Sequence, residues 1–156
     1  MESFIKENDT SKKYICPNLL FKATVDGDTP KDFHKKCDFM GSTIVIVQSE
    51  NGRRFGGYSS ISWDQTRNGW CNEGIVFLFS LDTRKYYKNT QGSYYTNHTP
   101  NHGPEFGAGH DLTILSGCLN NSNSYSAKRS YGMTSQYELN GGSPNFKVID
   151  YEIFQI

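Results

Sequence analysis

Residues 43–63 read TIVIVQSENGRRFGGYSSISW, and this stretch decides the fold. Thr43 to Gln48 is a β-branched run, apolar on both faces, which suits a strand buried from both sides. Asn51-Gly52 follows, a pair that tolerates positive φ and predicts a type I′ hairpin turn. The returning strand is expected over Arg54–Trp63. Its adjacent glycines, Gly56 and Gly57, point to a bulge or to a close backbone contact. Such a hairpin belongs in an antiparallel sheet.

Working outward, the flanks supply more strands. Leu19–Ala23 and Ile75–Leu81 are short apolar runs, and Lys85–Lys88 and Asp111–Leu115 read as shorter strands between long loops. Phe146–Ile156 carries apolar groups in both registers, which predicts a central strand. One helix has a clear start: Thr29 caps it, Pro30 takes the first helical position, and Asp32 stands three residues after the cap. Phe33 and Cys37, four apart, share its buried face. Residues 116–145, rich in Ser, Asn and Gly, predict a functional or mobile loop. The expected class is mainly β (α+β): an antiparallel two-sheet β-sandwich with a few short helices. Residues 1–17 read as a polar leader without periodicity, loosely ordered at its start, ahead of one domain over 18–156.

Aromatics make up 14% of the 156 residues, enough to build a core that the aliphatic content alone understates. Lys+Arg and Asp+Glu balance at 16 each, so the basic excess of a nucleic-acid binder is missing. No apolar run approaches the length of a membrane span and Met1–Tyr14 lacks the apolar core of a signal peptide, which predicts a cytoplasmic protein without membrane insertion. In that compartment Cys16, Cys37, Cys71 and Cys118 are expected as free thiols.

Several stretches occur in a telling order: the Leu-Leu-Phe strand, Asp26-Gly27, Phe33-His34-Lys35-Lys36-Cys37-Asp38, the TIVIV strand, and Phe55-Gly56-Gly57-Tyr58 leading to Trp63. Phe77-Leu78-Phe79-Ser80-Leu81, the segment Gly103-Pro104-Glu105-Phe106-Gly107, Asp111-Leu112 and a terminal Phe-x-Val-x-x-Tyr-Glu-Ile-Phe follow. Over residues 18–156 this order resembles the TLDc domain family, in wording closer to its protist members. The resemblance implies a two-sheet β-sandwich, a link to oxidative stress resistance, and binding and regulation of the vacuolar proton-pumping ATPase (V-ATPase). It carries over no catalytic residue.

Chemistry weighed residue by residue is sparse. His34 with Cys37, and His98 with His102, form two half-sites that lack the Cys-x-x-Cys start of a structural zinc site, so no metal is expected. No Gly-x-Ser-x-Gly elbow is present, and Gly103–Gly109 lacks the Lys-Ser/Thr ending of a phosphate loop, so no cofactor is expected. His110-Asp111 is the best acid–base candidate; the competing reading has Asp111 satisfying loop amides. Cys71 and Cys118 are expected in accessible loops, and neither as a peroxidatic thiol. The recognition candidates are loop tyrosines set among small polar residues: Tyr86, Tyr87, Tyr94, Tyr95, Tyr125, Tyr131 and Tyr137. These readings predict a non-catalytic protein-binding domain with no small-molecule substrate. Two alternatives stand beside it: a structural subunit of a larger assembly, ciliary, axonemal or organellar, and an antioxidant or hydrolytic enzyme.

Overall fold

The computed structural model describes residues 1–12 and 14–156. In chain order the elements are α1 (Glu2–Asn8), β1 (Asn18–Lys22), α2 (Ala23–Asp26), α3 (Pro30–Cys37), β2 (Thr43–Ser49), β3 (Arg54–Ser59), the 3-10 turn η1 (Gln65–Arg67) and β4 (Trp70–Cys71). Then come β5 (Val76–Ser80), β6 (Lys85–Lys88), β7 (Thr96–Asn97), β8 (Glu105–Phe106), β9 (Leu112–Thr113), β10 (Ser124–Tyr125), β11 (Asn145–Phe146) and β12 (Val148–Gln155). Two antiparallel six-stranded sheets result, ordered β1-β12-β2-β3-β5-β6 and β11-β10-β9-β8-β7-β4. The expected mainly β sandwich is what the chain forms. The terminal strand β12 is interior to its sheet, between β1 and β2, as its two apolar registers require.

The hairpin of the opening stretch forms with a different turn. Gly52 adopts φ 74° while Asn51 is not in the left-handed region, and Gly52 N–H donates to the Ser49 carbonyl at 2.9 Å. This is the three-residue connection, a type I turn closed by a left-handed glycine, in place of the expected type I′. The returning strand also stops earlier, at Ser59 instead of Trp63. The Ser59 hydroxyl donates to the Ile61 carbonyl and accepts from the Ile61 amide, a local turn that competes with the ladder. Of the two readings of Gly56-Gly57, the register decides for close approach, since both ladders run through them unbroken. A Cβ on Gly56 would lie 1.8 Å from the Val45 carbonyl oxygen, and one on Gly57 2.5 Å from the Phe106 ring of the opposite sheet.

Alternation sorts β2 cleanly. Val45 and Val47 point inward to a shared core with Phe55, Leu78, Phe106, Leu112 and Phe146, and this core joins the two sheets. Ile44 and Ile46 point the other way and form a second apolar cluster with Ile5, Tyr58, Phe77 and Phe79 on the outer face of the first sheet. Helix α1 covers part of that face, which corrects the expected loosely ordered start. Phe4 stacks on Tyr86 at 3.8 Å, Ile5 is buried, and Asp9 accepts a hydrogen bond from the Tyr58 hydroxyl at 2.7 Å. At α3 the expected start holds in full: Thr29 and Asp32 form a reciprocal capping box with Pro30 in the first turn, and Phe33 and Cys37 are fully buried.

Residues 116–145, expected as a functional or mobile loop, are pinned at several points, which speaks against the mobile alternative alone. Cys118, Ser130, Tyr131, Met133, Leu139 and Asn140 are all buried along it. Among the described residues no helix is long and apolar enough to cross a membrane.

Candidate functional site

The second sheet presents a polar and aromatic outer face. Phe106, Leu112, Thr96 and Cys71 point to the core, so their strand neighbours Glu105, Thr113, Asn97 and Trp70 point outward. Tyr125 lies opposite Thr113, which is itself opposite Glu105. Glu105 therefore stands in the middle of this face, yet it is fully buried.

Two histidines from the loops on either side of β8 cover it. His102 Nδ1 bonds one Glu105 carboxylate oxygen and His110 Nδ1 the other, while Asn97 Nδ2 donates to the first at 3.3 Å. Each imidazole is about a third exposed. The carboxylate thus fixes the orientation of two rings, as a buried carboxylate orients a histidine elsewhere in proteins. A further bond extends the network: His34 Nε2 lies 3.1 Å from the His102 carbonyl, and His34 Nδ1 lies 2.8 Å from Asp38. Helix α3 is in this way tied to the loop that carries His102.

Around this centre runs a file of rings. Trp70 meets Tyr94 edge-on at 5.7 Å and His110 at 6.2 Å, and His110 meets Tyr125 at 5.8 Å. Burial, and then the Glu105 charge, push the Tyr125 hydroxyl above its ordinary pKa. Tyr94 and His110 both have φ 56°, a left-handed conformation that costs side-chain-bearing residues energy and that is found more often at functional sites. Tyr94 is 43% exposed.

Asp111 is not hydrogen-bonded to its neighbour His110. Fully buried, it accepts from the backbone amides of Arg129, Ser130 and Tyr131 at 2.8–3.0 Å, which is the loop-amide reading. His110 turns to Glu105 instead. Gly107, at φ 83°, lets the chain pass Asp111, where a Cβ would lie 2.4 Å from the carboxylate.

The candidate tyrosines separate. Tyr94 and Tyr125 belong to the ring file. Tyr86 is on the first sheet beneath Phe4, and Tyr137 is exposed without a ring contact among the described residues. Tyr87 and Tyr131 are core residues, 5% and 2% exposed, and cannot touch a partner in this fold. Tyr95 packs against the core, its carbonyl accepting from the Tyr131 hydroxyl at 2.8 Å. Sequence reasoning misses Trp70 and Glu105, and it pairs His102 with His98 where the fold pairs it with Glu105. No sequence signal marks Glu105, because a two-residue strand is too short for alternation to show.

Other candidates also find their places. His98 is buried beside Trp63, its Nδ1 accepting from the Asp64 amide at 3.0 Å and its Nε2 bonded to Thr96 at 2.9 Å. Burial, helped by the Arg67 guanidinium, pulls its pKa down to about 4. Cys71 and Cys118 are buried, which corrects the expected accessible loops; only Cys16 among the free thiols is exposed. Burial pushes the Cys118 thiol up to about 12, far from reactivity at neutral pH.

The match to protein families now adds to the geometry: the model of the TLDc domain fits residues 1–156. The chain belongs to the TLDc domain family. No curated protein matches the chain closely. As a TLDc domain it places its aromatic file on one outer face and helix α1 on the other.

Proposed function

We propose that this TLDc domain is a non-catalytic protein-interaction domain that docks a macromolecular partner on the outer face of its second sheet. The observation that carries the reading is the ring file Trp70–Tyr94 and Trp70–His110–Tyr125. Rigid, partly exposed aromatics give contact area at low entropic cost and are over-represented among interface residues that dominate binding. The buried Glu105 holds the file in place through His110, so little ordering remains to be done on binding.

The non-catalytic part of the proposal draws support from saturation. Both Glu105 oxygens and the Asp111 carboxylate are engaged by the chain's own groups, which suits a scaffold better than a proton-transfer centre. Family resemblance supplies the partner class, the vacuolar proton-pumping ATPase, and with it a cytoplasmic location and an indirect role in oxidative stress. Affinity purification with mass spectrometry tests this. Proton-pump subunits should accompany the wild-type chain and be lost from a Trp70→Ala/Tyr94→Ala variant of unchanged melting temperature. Equal recovery from both, or a fixed assembly without pump subunits, would refute the proposal, the second result favouring a structural subunit.

A further inference from the structure

The ring file on the second sheet surrounds a negative charge that no Lys or Arg of this chain neutralises. Glu105 is fully buried, and among the described residues its carboxylate meets only N–H donors: His102 Nδ1, His110 Nδ1 and Asn97 Nδ2. Asp111, next in the chain after His110, is a second fully buried carboxylate, and backbone amides alone satisfy it. Charges held out of water in this way project a strong field through the low-dielectric material above them. That field reaches the rings. Burial first, and the Glu105 charge second, hold the Tyr125 hydroxyl above its ordinary pKa.

The cations nearby are engaged with other groups or stand apart. Arg67, which reaches Cys71 beside Trp70, is paired with Asp64 at 3.6 Å and with Glu73 at 2.7 Å. The Arg129 stem packs on Gly109, where a Cβ would lie 2.5 Å from it, but its guanidinium forms no ion pair with Glu105 or Asp111 among the described residues.

What the face offers outward complements a cation. Each imidazole uses Nδ1 on the carboxylate, so the neutral ring carries a lone pair on Nε2, across the ring from Glu105. Neither Nε2 has a hydrogen-bond partner among the described residues, and each ring is about a third exposed. Beside them stand the π faces of Trp70, Tyr94 and Tyr125, whose quadrupoles attract positive charge. Trp70 meets Tyr94 at 86° and His110 meets Tyr125 at 67°, so adjoining rings form corners and not a flat stack. Tyr94 is held at φ 56° next to a tie, its amide donating to Asn72 Oδ1 at 2.5 Å.

From this arrangement, and resting on the docking role proposed for the same face, we infer that the ring file is the receptor for an arginine side chain of the partner protein. A guanidinium is planar, so it stacks on Trp70 while its N–H fork reaches the Nε2 lone pairs. An ammonium is compact and holds its water more tightly, and it gains less from a partly open aromatic site. An acidic side chain would bring its own charge against that of Glu105. The buried carboxylate thus supplies the attraction, the imidazoles carry it outward, and the rings supply the contact.

The test adds tripeptides Ac-Gly-X-Gly-amide to the full chain at constant ionic strength, with X arginine, lysine, citrulline or glutamate, and follows the indole N–H resonances of the two tryptophans. Trp63 is the internal control, being fully buried with its indole N–H donated to the Thr43 hydroxyl at 2.9 Å. The arginine peptide should move the Trp70 signal and leave Trp63 in place, with at least about fivefold higher affinity than its neutral isostere citrulline and about threefold higher than lysine. Tyr94→Ala should weaken the arginine peptide at least about threefold, and Glu105→Gln should bring arginine level with citrulline. Should Glu105→Gln fail to fold, seen as a displaced Trp63 signal, the four peptides on the wild-type chain and on Tyr94→Ala decide the matter. Equal affinity for arginine and citrulline, tighter binding of glutamate, or a Trp70 signal unmoved by arginine overturns the inference. Partner recovery in the affinity purification is a separate readout. Partners lost from Trp70→Ala/Tyr94→Ala, with arginine and citrulline equal, sink the inference and leave the docking role standing; undiminished recovery from that variant sinks the docking role, and the inference with it.

Discussion

His98 sits where a proton is unwelcome. Its Nδ1 accepts the Asp64 amide hydrogen, so Nε2 bears the proton and donates to Thr96, and the ring packs against Trp63. Protonating Nδ1 would set two donors against each other inside the core. Burial, the largest cause, and the Arg67 guanidinium hold the pKa at about 4, against 6.5 for an ordinary histidine. At about 1.4 kcal/mol per pH unit, the neutral ring is favoured in the folded state by about 3 kcal/mol. The sign follows from proton counting: below about pH 6.5 the unfolded chain binds a proton that the folded chain refuses. This contribution is complete above about pH 6.5, falls as pH drops, and is gone near pH 4. Urea unfolding between about pH 7.5 and about pH 4, with His98→Asn alongside, isolates it from the other titrating groups. The substituted amide keeps an acceptor for the Asp64 N–H, so the variant is weakened by lost packing but spared this pH dependence. The stability advantage of the wild type should shrink by about 3 kcal/mol across the window. A constant difference would refute the reasoning.

Other perturbations have equally definite outcomes. Gly56→Ala forces a Cβ to within 1.8 Å of the Val45 carbonyl oxygen and should cost at least about 3 kcal/mol or prevent folding, read by urea unfolding or by soluble yield. Asp111→Ala strands three buried amides and should cost about 3 kcal/mol or more by the same assay, with proteolysis of residues 116–145 rising in step. A thiol reagent should label one cysteine, Cys16, in the native chain and four after denaturation. Lowering the pH should also loosen the bond that latches Asp9 to Tyr58, for the Asp9 carboxyl is held below the ordinary range: burial acts to raise it, but hydrogen bonds from Ser11 and Tyr58 outweigh burial. The latch holds above the ordinary carboxyl pKa and is lost as pH falls through the lowered one, read as amide exchange of residues 2–9.

The strands with β-branched or aromatic runs, β2, β5 and β12, were legible because burial on both faces leaves an apolar run that nothing else explains. The α3 start was equally legible, since a capping box is written in three residues. The second sheet was not. Each of its strands pairs through backbone with only two residues, set inside polar text and too short for any period to show. Its outer face therefore stayed hidden, and with it the meeting of Trp70, Glu105 and His110 from three separate strands and loops. Helix α1 was missed for a different reason: only Met1, Phe4 and Ile5 of its stripe are apolar, and what orders them is the waiting face of a sheet built by residues 44–86. Tyr87 and Tyr131 were misread because composition marks a loop as tyrosine-rich without saying which rings turn inward.

Amide hydrogen exchange of the purified chain, alone and mixed with the soluble sector of the vacuolar ATPase, tests the docking surface most directly. Protection should rise at Trp70–Asn72, around Tyr94 and His110, and at Tyr125, and Trp70→Ala/Tyr94→Ala should abolish it. Protection confined to other surfaces, or none at saturating pump sector, would contradict the account.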